Sequence, residues 1–415
     1  MMQLTIEKLD KDLDGIVYKD NIAIKVPFCK VGDIVDILDI DYTNKTPVAT
    51  KFNLNKDSHQ SPLCEYFYKC GGCKLQHFSK QEYTEIKLQL VKDSFKKANF
   101  TYKINNNNFY NHLDEPKHHR RRVEFSVDKS IVGFKGYKTN QVIQIKSCPL
   151  LTNKLNLALD EFSNIVNKYN NVLQIISIHL TQIDDYIDVL LVSCKKNDLN
   201  VVKLLQQIFQ ISYIARIYWK YKNLIEPIVV KHNLQLSYGS YKVNYHINTF
   251  LQAEEFGEKL IVNFILKYLF NSEKILDLFC GYGGYSLSLL SSKTKLIKCI
   301  DIESKAIESL SKINNKIINA CVQDLFKKPI LAEDINDYDA IIINPPRSGA
   351  FLQIQEIAKS KIKKIAMVYC SLTSLTRDLT YLLQNNDKYY IVDIIFVDQF
   401  VFTHHLEIIV IVEKS

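Results

Sequence analysis

Ile275-Leu-Asp-Leu-Phe-Cys-Gly-Tyr-Gly-Gly-Tyr-Ser286 is the segment from which the fold of the second half of the chain can be inferred. Its apolar start predicts a β-strand that ends near Asp277, and the glycines at positions 281, 283 and 284 predict a tight turn into a helix. Glycine lets a backbone approach a ligand closely, and an open α/β sheet binds nucleotide-like ligands at the carboxyl ends of its strands. An ordinary strand-to-helix turn would use the same residues, so the loop alone is a weak indication.

The segments after the loop strengthen its interpretation as a ligand site. A second predicted strand, residues 296–300, ends in Asp301, about 20 residues past the loop, where an acidic side chain can bind both ribose hydroxyls. Asp324 falls where a third strand should end, and a fourth, Ala340–Ile343, runs into Asn344-Pro-Pro-Arg-Ser-Gly. The loop lacks a phosphate-cradling Lys-Ser/Thr, which favours S-adenosylmethionine over ATP, with a dinucleotide as the next alternative.

The pattern along the rest of the chain predicts three domains. Short β-branched runs separated by turn signals predict a small all-β barrel over residues 1–57. Strand-like and helical segments alternate in a central α/β domain, residues 58–249. Repeated helix and strand units over residues 250–415 predict a doubly wound, mostly parallel, Rossmann-like sheet. The fold class is therefore α/β, with an additional β-module at the amino terminus.

The composition excludes several classes of protein. Of the 415 residues, 47% are hydrophobic and 24% are charged, a balance that excludes disorder of the whole chain. The formal net charge of +8 permits an anionic partner such as nucleic acid, although many basic proteins bind none. No apolar run approaches the roughly 20 residues of a membrane span, and the first residues lack a secretory signal. We expect a cytoplasmic protein without membrane association, in which the ten cysteines stay reduced.

Further motifs lie on both sides of the glycine loop. They are Cys64-x5-Cys70-Gly-Gly-Cys73-Lys-Leu-Gln-His, Asn248-Thr-Phe-Leu-Gln252, Asn344-Pro-Pro-Arg-Ser-Gly, Tyr369-Cys370-Ser-Leu and Asp398-Gln-Phe-Val-Phe-Thr-His-His405-Leu-Glu407. In this order and spacing they resemble the RNA uracil-5 methyltransferases that make 5-methyluridine, and most of all the iron–sulfur members that act on 23S ribosomal RNA. The amino-terminal β-module resembles a TRAM domain, so the resemblance spans nearly the whole chain.

The chain departs from the pattern of that family in three motifs. Asn344 stands where the family usually has aspartate, which keeps a hydrogen-bonding oxygen and loses a charge. The family's Ser-Cys-Asn-Pro becomes Tyr369-Cys370-Ser371-Leu372, and Val401 replaces a proline in the closing motif. These changes bear on efficiency or target geometry more than on the class of reaction, because the cysteine and the glutamate of the pattern remain.

Methylation of uracil at C5 needs a nucleophile and a base, since C5 by itself is a poor nucleophile. A thiolate that adds to C6 raises the electron density at C5, and a base must then remove the C5 proton so that the thiolate can leave. The resemblance implies that Cys370 is the nucleophile and Glu407 the base, with His405 placed to orient it. Taken alone, a cysteine at a strand end is more often a small buried hydrophobe, and we keep that interpretation for Cys280.

A second group of residues is expected to bind S-adenosylmethionine. The resemblance implies that Gln252 contacts this cofactor, and Asp324 would suit its adenine amino group. The complete predicted set is Gln252, Phe279, Gly281, Gly283, Gly284, Asp301, Asp324 and Asn344.

Three cysteines, Cys64, Cys70 and Cys73, lie within ten residues of one another in a glycine turn and offer soft thiolate ligands. A fourth ligand must come from elsewhere in the chain, and the resemblance implies Cys148. Four thiolates also form structural zinc sites, so the spacing leaves zinc open. The resemblance favours a [4Fe–4S] cluster. A radical S-adenosylmethionine cluster is disfavoured because the chain has a separate cofactor fold.

The basic run Lys117-His-His-Arg-Arg-Arg122 is either a solvated surface or a contact to RNA phosphates. The resemblance implies an RNA partner, and ribosomal RNA is favoured over transfer RNA. The target uridine must leave the base stack and enter the active site. No obligate protein partner is predicted.

Two alternative functions stay open at this point. One is a methyltransferase for exocyclic amines, because Asn344-Pro-Pro is also a motif that binds an exocyclic amino group. Arg347 stands where that class of enzyme usually has an aromatic residue. The other is an RNA-binding or assembly factor without catalysis.

Overall fold

A computed structural model describes residues 3–104, 106–111, 113, 117–208 and 211–415 of the chain. Their strands form sheets of six, seven and eight strands and one two-stranded hairpin. Among the described helices, none combines the length and the apolar character that a membrane crossing would need. Apart from one short strand, the three large sheets follow one another along the sequence in the predicted order.

The first sheet is built from the short β-branched segments near the amino terminus. Ile24 and Val26 alternate with more exposed neighbours along their strand and join Ile6, Val17 and Val35 in a small buried core. The strands are β1 (Gln3–Thr5), β2 (Lys8–Leu9), β3 (Gly15–Lys19), β4 (Ile22–Val26), β5 (Ile34–Asp41) and β6 (Val48–Leu54), in the order β1-β5-β6-β4-β3-β2. The expectation of an all-β module at this end is confirmed.

A segment of turns leads from the first sheet through the cysteine motif to α1 (Lys80–Lys97). Ser79 and Glu82 form a capping box, in which each side chain accepts a hydrogen bond from the backbone N–H of the other residue. This arrangement fixes the start of the helix, because it satisfies N–H groups that have no partner within the first turn. A short 3-10 helix at Asn106–Asn108 and the strand β7 (Phe109–Tyr110) follow.

The central sheet is mixed. Its strands are β8 (Arg122–Asp128), β9 (Ile131–Lys135), β10 (Val142–Gln144), β11 (Ile175–Ile183), β12 (Tyr186–Ser193), β13 (Ile214–Tyr221) and β14 (Leu224–Val230), in the order β10-β9-β8-β11-β12-β13-β14. Helix α2 (Asn153–Leu173) buries Leu155, Leu159 and Phe162 in the core of this sheet. Helix α3 (Leu199–Ile208) connects β12 to β13, which run parallel. A hairpin of β15 (Gln235–Tyr238) and β16 (Tyr241–Asn244) comes next.

The third sheet is doubly wound and mostly parallel, which confirms the predicted fold. Its helices are α4 (Glu255–Leu269), α5 (Gly284–Ser288), α6 (Ser304–Ser311), α7 (Ala332–Ile335), α8 (Phe351–Lys359) and α9 (Leu372–Asn385). Its strands are β17 (Lys274–Leu278), β18 (Leu296–Asp301), β19 (Ile318–Val322), β20 (Ala340–Ile343), β21 (Lys364–Tyr369), β22 (Tyr389–Val397) and β23 (Glu407–Lys414). The order is β19-β18-β17-β20-β21-β23-β22-β7, and β23 runs antiparallel to both of its neighbours.

Two elements that precede the central sheet pack against the third sheet. The strand β7 pairs with β22 at its edge, and α1 packs against α9, so that Leu88 and Val91 share a core with Leu375. The boundaries after residues 57 and 249 stay predictions. They assign α1 and β7 to the central domain, whereas β7 pairs with the doubly wound sheet and α1 shares its core. Glu82 of α1 also pairs with Lys30 of the amino-terminal module at 2.9 Å.

A buried ion pair fixes α1 to the closing motif. The Nζ atom of Lys87 lies 2.6 Å from Oδ1 of Asp398, and both side chains are 0% exposed. Lys87 also donates a hydrogen bond to the main-chain oxygen of His405 at 3.0 Å, and the hydroxyl of Tyr83 donates to Asp398. Removal of one partner from such a pair is strongly destabilising, because the other charge stays buried without compensation.

We expect Lys87→Met to lower the free energy of unfolding by about 3–5 kcal/mol, because Asp398 would lose its cation in the protein interior. Urea denaturation followed by circular dichroism measures this difference. Lys92→Met, on the exposed face of the same helix, is the matched control and should change the free energy of unfolding by less than about 0.5 kcal/mol. Equal losses in the two variants would contradict a structural role for the buried pair.

Candidate active site

One cavity of about 500 Å³ lies at the carboxyl ends of β17, β20 and β21. Predicted site residues from distant parts of the chain line it: Gln252, Phe279, Gly281, Gly284, Asp301, Asn344, Cys370 and Glu407. Gly283 and Asp324 are outside the lining that the described residues form. Gly283 is the N-cap of α5, and the Asp324 carboxylate accepts a hydrogen bond from the backbone of Phe326, which does line the cavity. The adenine contact of Asp324 therefore stays a prediction.

The glycine loop takes its shape from its backbone and from Asp301. Gly281 and Gly283 have φ angles of 52° and 70°, in the left-handed region that favours glycine. The Oδ2 atom of Asp301 accepts a hydrogen bond from the backbone N–H of Gly281, and Oδ1 accepts one from Glu303, each at 2.8 Å. Asp301 thus orients the loop as well as lining the cavity. Cys280, for which we predicted a packing role, also contributes to the lining.

The segment that carries Gln252 is held by the basic run. The main-chain oxygen of Gln252 accepts a hydrogen bond from Nε of Arg121 at 3.1 Å, and Arg121 also pairs with Glu258 at 2.6 Å. Arg122 donates to the main-chain oxygen of Leu251 at 2.6 Å. Arg120 donates to the main-chain oxygen of Arg122 at 2.9 Å, and Nδ1 of His118 lies 3.0 Å from the main-chain oxygen of Leu151. At least four of the six side chains of the run are therefore engaged within the protein, which the sequence pattern did not indicate. Contact of the run with RNA stays a prediction.

The last strand brings a carboxylate beside the predicted nucleophile. Tyr369 of β21 pairs with Ile408 of β23 in an antiparallel register, so the next residues, Cys370 and Glu407, lie opposite each other at the end of the pair. Burial raises the pKa of Glu407 to about 7, and the Arg347 guanidinium opposes this shift. Burial and the Glu407 carboxylate raise the pKa of the Cys370 thiol, which Arg347 lowers. Shifted pKa values in a cavity are typical of functional sites.

His405 contacts Arg347 at the same cavity. Its Nε2 atom lies 3.2 Å from a terminal nitrogen of the Arg347 guanidinium and accepts a hydrogen bond from it. Burial, together with His404 and Arg347, lowers the pKa of His405 to about 3, so the ring is neutral at pH 7. The sequence predicted that His405 orients Glu407. Its contact with Arg347 was not anticipated, because no local pattern links these residues.

The four cysteines of the predicted cluster line a second cavity, of about 220 Å³. Cys64, Cys70 and Cys73 come from the turns before α1, and Cys148 lies shortly before α2. Burial and repulsion by Cys148 raise the pKa of Cys70 to about 11. Within the part of the chain that the structure describes, no group of three or more Cys, His, Asp or Glu side chains is arranged to hold a metal ion. The fold therefore gathers the four thiols without defining a metal centre.

The strand order, the glycine loop after β17 and the acidic residue at the end of β18 define a methyltransferase of the S-adenosylmethionine-dependent class. A family model described as tRNA (Uracil-5-)-methyltransferase matches residues 83–415, and one described as the TRAM domain of tRNA (uracil(54)-C(5))-methyltransferase matches residues 2–60. The chain belongs to the tRNA (uracil-5-)-methyltransferase family. It is an enzyme that transfers a methyl group from S-adenosylmethionine to C5 of uridine in RNA. This assignment replaces the two alternatives, an amine methyltransferase and a non-catalytic RNA-binding factor.

Several relatives match almost the whole chain. An uncharacterized RNA methyltransferase of Agrobacterium fabrum is 26% identical over 99% of this chain and 99% of its own. The 23S rRNA (uracil(1939)-C(5))-methyltransferase RlmD of Colwellia psychrerythraea is 25% identical over 99% of this chain and 95% of its own. A crystal structure of Pyrococcus abyssi tRNA (uracil-54, C5)-methyltransferase in complex with S-adenosyl-L-homocysteine has a TM-score of 0.78 and 23% identity, and the match covers 99% of both chains. The structural similarity supports the fold.

Asp301→Asn should weaken the binding of S-adenosyl-L-homocysteine by about ten- to a hundredfold. The carboxylate of Asp301 accepts hydrogen bonds from the backbone N–H groups of Gly281 and Glu303. An amide has one accepting oxygen, so one of these N–H groups would lose its partner and the loop that lines the cavity would lose a constraint. Isothermal titration calorimetry measures the dissociation constant. Glu308→Gln, at an exposed position of α6, is the control and should bind as the wild type does. Unchanged affinity in Asp301→Asn would contradict the role of Asp301 in the loop. Asp324→Asn in the same assay tests the predicted adenine contact.

Proposed function

We propose that Cys370 is the nucleophile and Glu407 the general base of uridine methylation. The observation that carries this proposal is the register of β21 and β23, which sets these two residues opposite each other at one cavity. Glu407 is 4% exposed, so its carboxylate reacts in a site that is largely closed to water. Both residues lie at strand ends of a buried sheet, which holds them in position more rigidly than a loop would.

S-adenosylmethionine supplies an electrophilic methyl group when it is bound. The thiolate of Cys370 adds to C6 of uracil, which raises the electron density at C5 and lets C5 take the methyl group. Glu407 then accepts the C5 proton, the C5–C6 double bond forms again, and the thiolate of Cys370 leaves. A proton passed from Glu407 to solvent restores the enzyme for the next cycle.

The surroundings of Glu407 suit a base that works near neutral pH. Burial holds its pKa at about 7, so both the acid and the carboxylate are populated near that pH. Arg347 opposes the effect of burial at Glu407 and at Cys370, because its positive charge favours the carboxylate and the thiolate. A cation beside both groups supports a covalent mechanism, since both reactive forms are anions.

We infer that the substrate is 23S ribosomal RNA. Relatives from Colwellia psychrerythraea and Shewanella halifaxensis, 25% and 26% identical to this chain over 99% and 98% of it, are named as enzymes for 23S rRNA. The cysteine motif also resembles that of the iron–sulfur members with this substrate. Transfer RNA is the second candidate, because the family model and the Pyrococcus abyssi protein carry names of transfer RNA enzymes. Methylation of 23S and transfer RNA transcripts side by side distinguishes the two substrates.

We also propose that Cys64, Cys70, Cys73 and Cys148 hold a [4Fe–4S] cluster. Their thiols line one cavity, and four thiolates are a donor set that suits an iron–sulfur centre. Burial, and repulsion by Cys148, raise the pKa of the other three thiols. Four thiolates in this cavity would need a positive centre to compensate their charge, which a metal supplies. A cluster here would cross-link the cysteine turns to the segment before α2 and would take no part in methyl transfer.

Glu407→Gln should accumulate a covalent protein–RNA adduct with ordinary uridine, because the C5 proton stays and the thiolate cannot leave. The wild type should be trapped by RNA that contains 5-fluorouridine, since fluorine cannot leave as a proton does. Cys370→Ala should form no adduct with either RNA. Denaturing gel electrophoresis of labelled RNA, incubated with enzyme and S-adenosylmethionine, measures the adduct.

Cys321→Ala is the control for these variants, because Cys321 lies on β19, the strand at the opposite edge of the sheet from β7. It should form the 5-fluorouridine adduct as the wild type does. An adduct that persists in Cys370→Ala would contradict the proposed nucleophile. Methylation by Glu407→Gln at the wild-type rate would contradict the proposed base.

Cys148→Ser should lose the bound iron and the visible absorption of enzyme purified without oxygen, because one of the four proposed ligands is removed. Cys194→Ser is the matched control, since Cys194 is exposed and does not line this cavity. Iron, sulfide and zinc analysis of the wild type separates the two candidate metals. Zinc without iron would replace the cluster by a zinc site, and a protein with neither metal would contradict both.

A further inference from the structure

Asn344 follows the carboxyl end of β20, a central strand of the third sheet, and lines the active-site cavity. The strand β20 lies between β17, which leads into the glycine loop, and β21, which leads into Cys370. The backbone N–H of Asn344 donates to the main-chain oxygen of Leu278 at 3.1 Å, so the pairing with β17 continues up to this residue. Adjacent strands are about 4.8 Å apart. Asn344 therefore stands about one strand spacing from the start of the glycine loop. On the other side the pairing of Ile343 with Met367 places it beside Val368, two residues before Cys370, and Asn344 and Cys370 line the same cavity.

The side chain of Asn344 is the polar group that this position offers to a base in the cavity. Pro345 and Pro346, which follow it in the lining, have no N–H, and the N–H of Asn344 itself is already paired. Arg347 adds donors, one of which contacts His405. Among the residues that the structure describes, none forms a hydrogen bond with the side-chain amide of Asn344. The protein thus leaves both orientations of this amide accessible.

A primary amide matches the edges of both pyrimidine bases, because its oxygen accepts and its NH2 group donates. Toward uracil, the oxygen accepts from N3–H and the NH2 group donates to O4. Toward cytosine the amide turns over, so that the NH2 group donates to N3 and the oxygen accepts from the N4 amino group. A carboxylate in this place only accepts, so it matches N3–H of uracil and repels the lone pair on N3 of cytosine.

We propose that Asn344 contacts the target base and lets the enzyme methylate cytidine as well as uridine in RNA. The inference rests on the proposed roles of Cys370 and Glu407. On cytosine, the Cys370 thiolate adds to C6, the electron pair reaches C5, and C5 takes the methyl group of S-adenosylmethionine, releasing S-adenosyl-L-homocysteine. Glu407 removes the C5 proton, the C5–C6 double bond forms again and the thiolate departs, which leaves 5-methylcytidine.

The test uses the full-length enzyme and two transcripts of the RNA fragment whose uridine it methylates, one unchanged and one with cytidine at that position. Transfer of labelled methyl groups and mass spectrometry of the nucleosides give kcat/KM for each base. We expect the wild type to form 5-methylcytidine, and Asn344→Asp to raise the uridine-to-cytidine ratio of kcat/KM by about tenfold or more. Asn319→Asp, the same change at an exposed position of β19, is the matched control and should leave this ratio unchanged.

A second measurement needs no variant at Asn344. The wild type should form a denaturation-resistant adduct with a transcript that carries 5-fluorocytidine at the target position, as it should with 5-fluorouridine. Uridine methylation with neither 5-methylcytidine nor the 5-fluorocytidine adduct overturns this inference and leaves the proposed function standing. An unchanged ratio in Asn344→Asp also overturns it, because another group would then select the base. Cytidine methylation that survives Cys370→Ala overturns the shared mechanism, and inactivity on both bases overturns the proposed function together with this inference.

Discussion

The reversed direction of β23 is the constraint on which the active site depends. This strand runs antiparallel between β21 and β22 in an otherwise parallel part of the sheet, so its first residue meets the end of β21. A parallel strand of eight residues in its place would begin at the other ends of the neighbouring strands, about 25 Å away. Glu407 and Cys370 are neighbours for this reason. The ends of β20 and β17 add Asn344 and the glycine loop to the same edge.

Buried polar contacts join the other parts of the chain to this edge. The pair of Lys87 and Asp398 ties α1 to the segment that precedes β23, while Arg121 and Arg122 tie β8 and its approach to the backbone beside Gln252. A buried ion pair adds little net stability compared with apolar packing, but a charge left without its partner is strongly destabilising. Such contacts therefore favour one relative placement of these segments over others. The active site depends on that placement, because its residues come from distant parts of the chain.

The burial of Glu407 lowers the stability of the folded protein near neutral pH and also makes this carboxylate a stronger base. Burial raises the pKa of Glu407 from 4.5 to about 7, so the folded protein holds a proton there that the unfolded chain releases. The contribution of this group to stability is greatest below about pH 4.5 and is lost as the pH rises through 7. Arg347 limits the loss, because its charge compensates the carboxylate. The same burial gives the reaction a base that is stronger than an exposed glutamate near neutral pH.

Local residue patterns were sufficient to predict the secondary-structure elements and the class of chemistry. The strand Ala340–Ile343 and the glycine turn follow from residue patterns that act over a few positions, since apolar runs and left-handed φ angles are short-range requirements. The contacts between distant residues depend on how the whole chain packs. Lys87 and Asp398 are 311 residues apart, and Arg121 holds a residue 131 positions away, contacts that no local periodicity encodes. The position of Asp324 outside the cavity lining has the same origin, because the path of a chain beyond its strand is set by what packs around it.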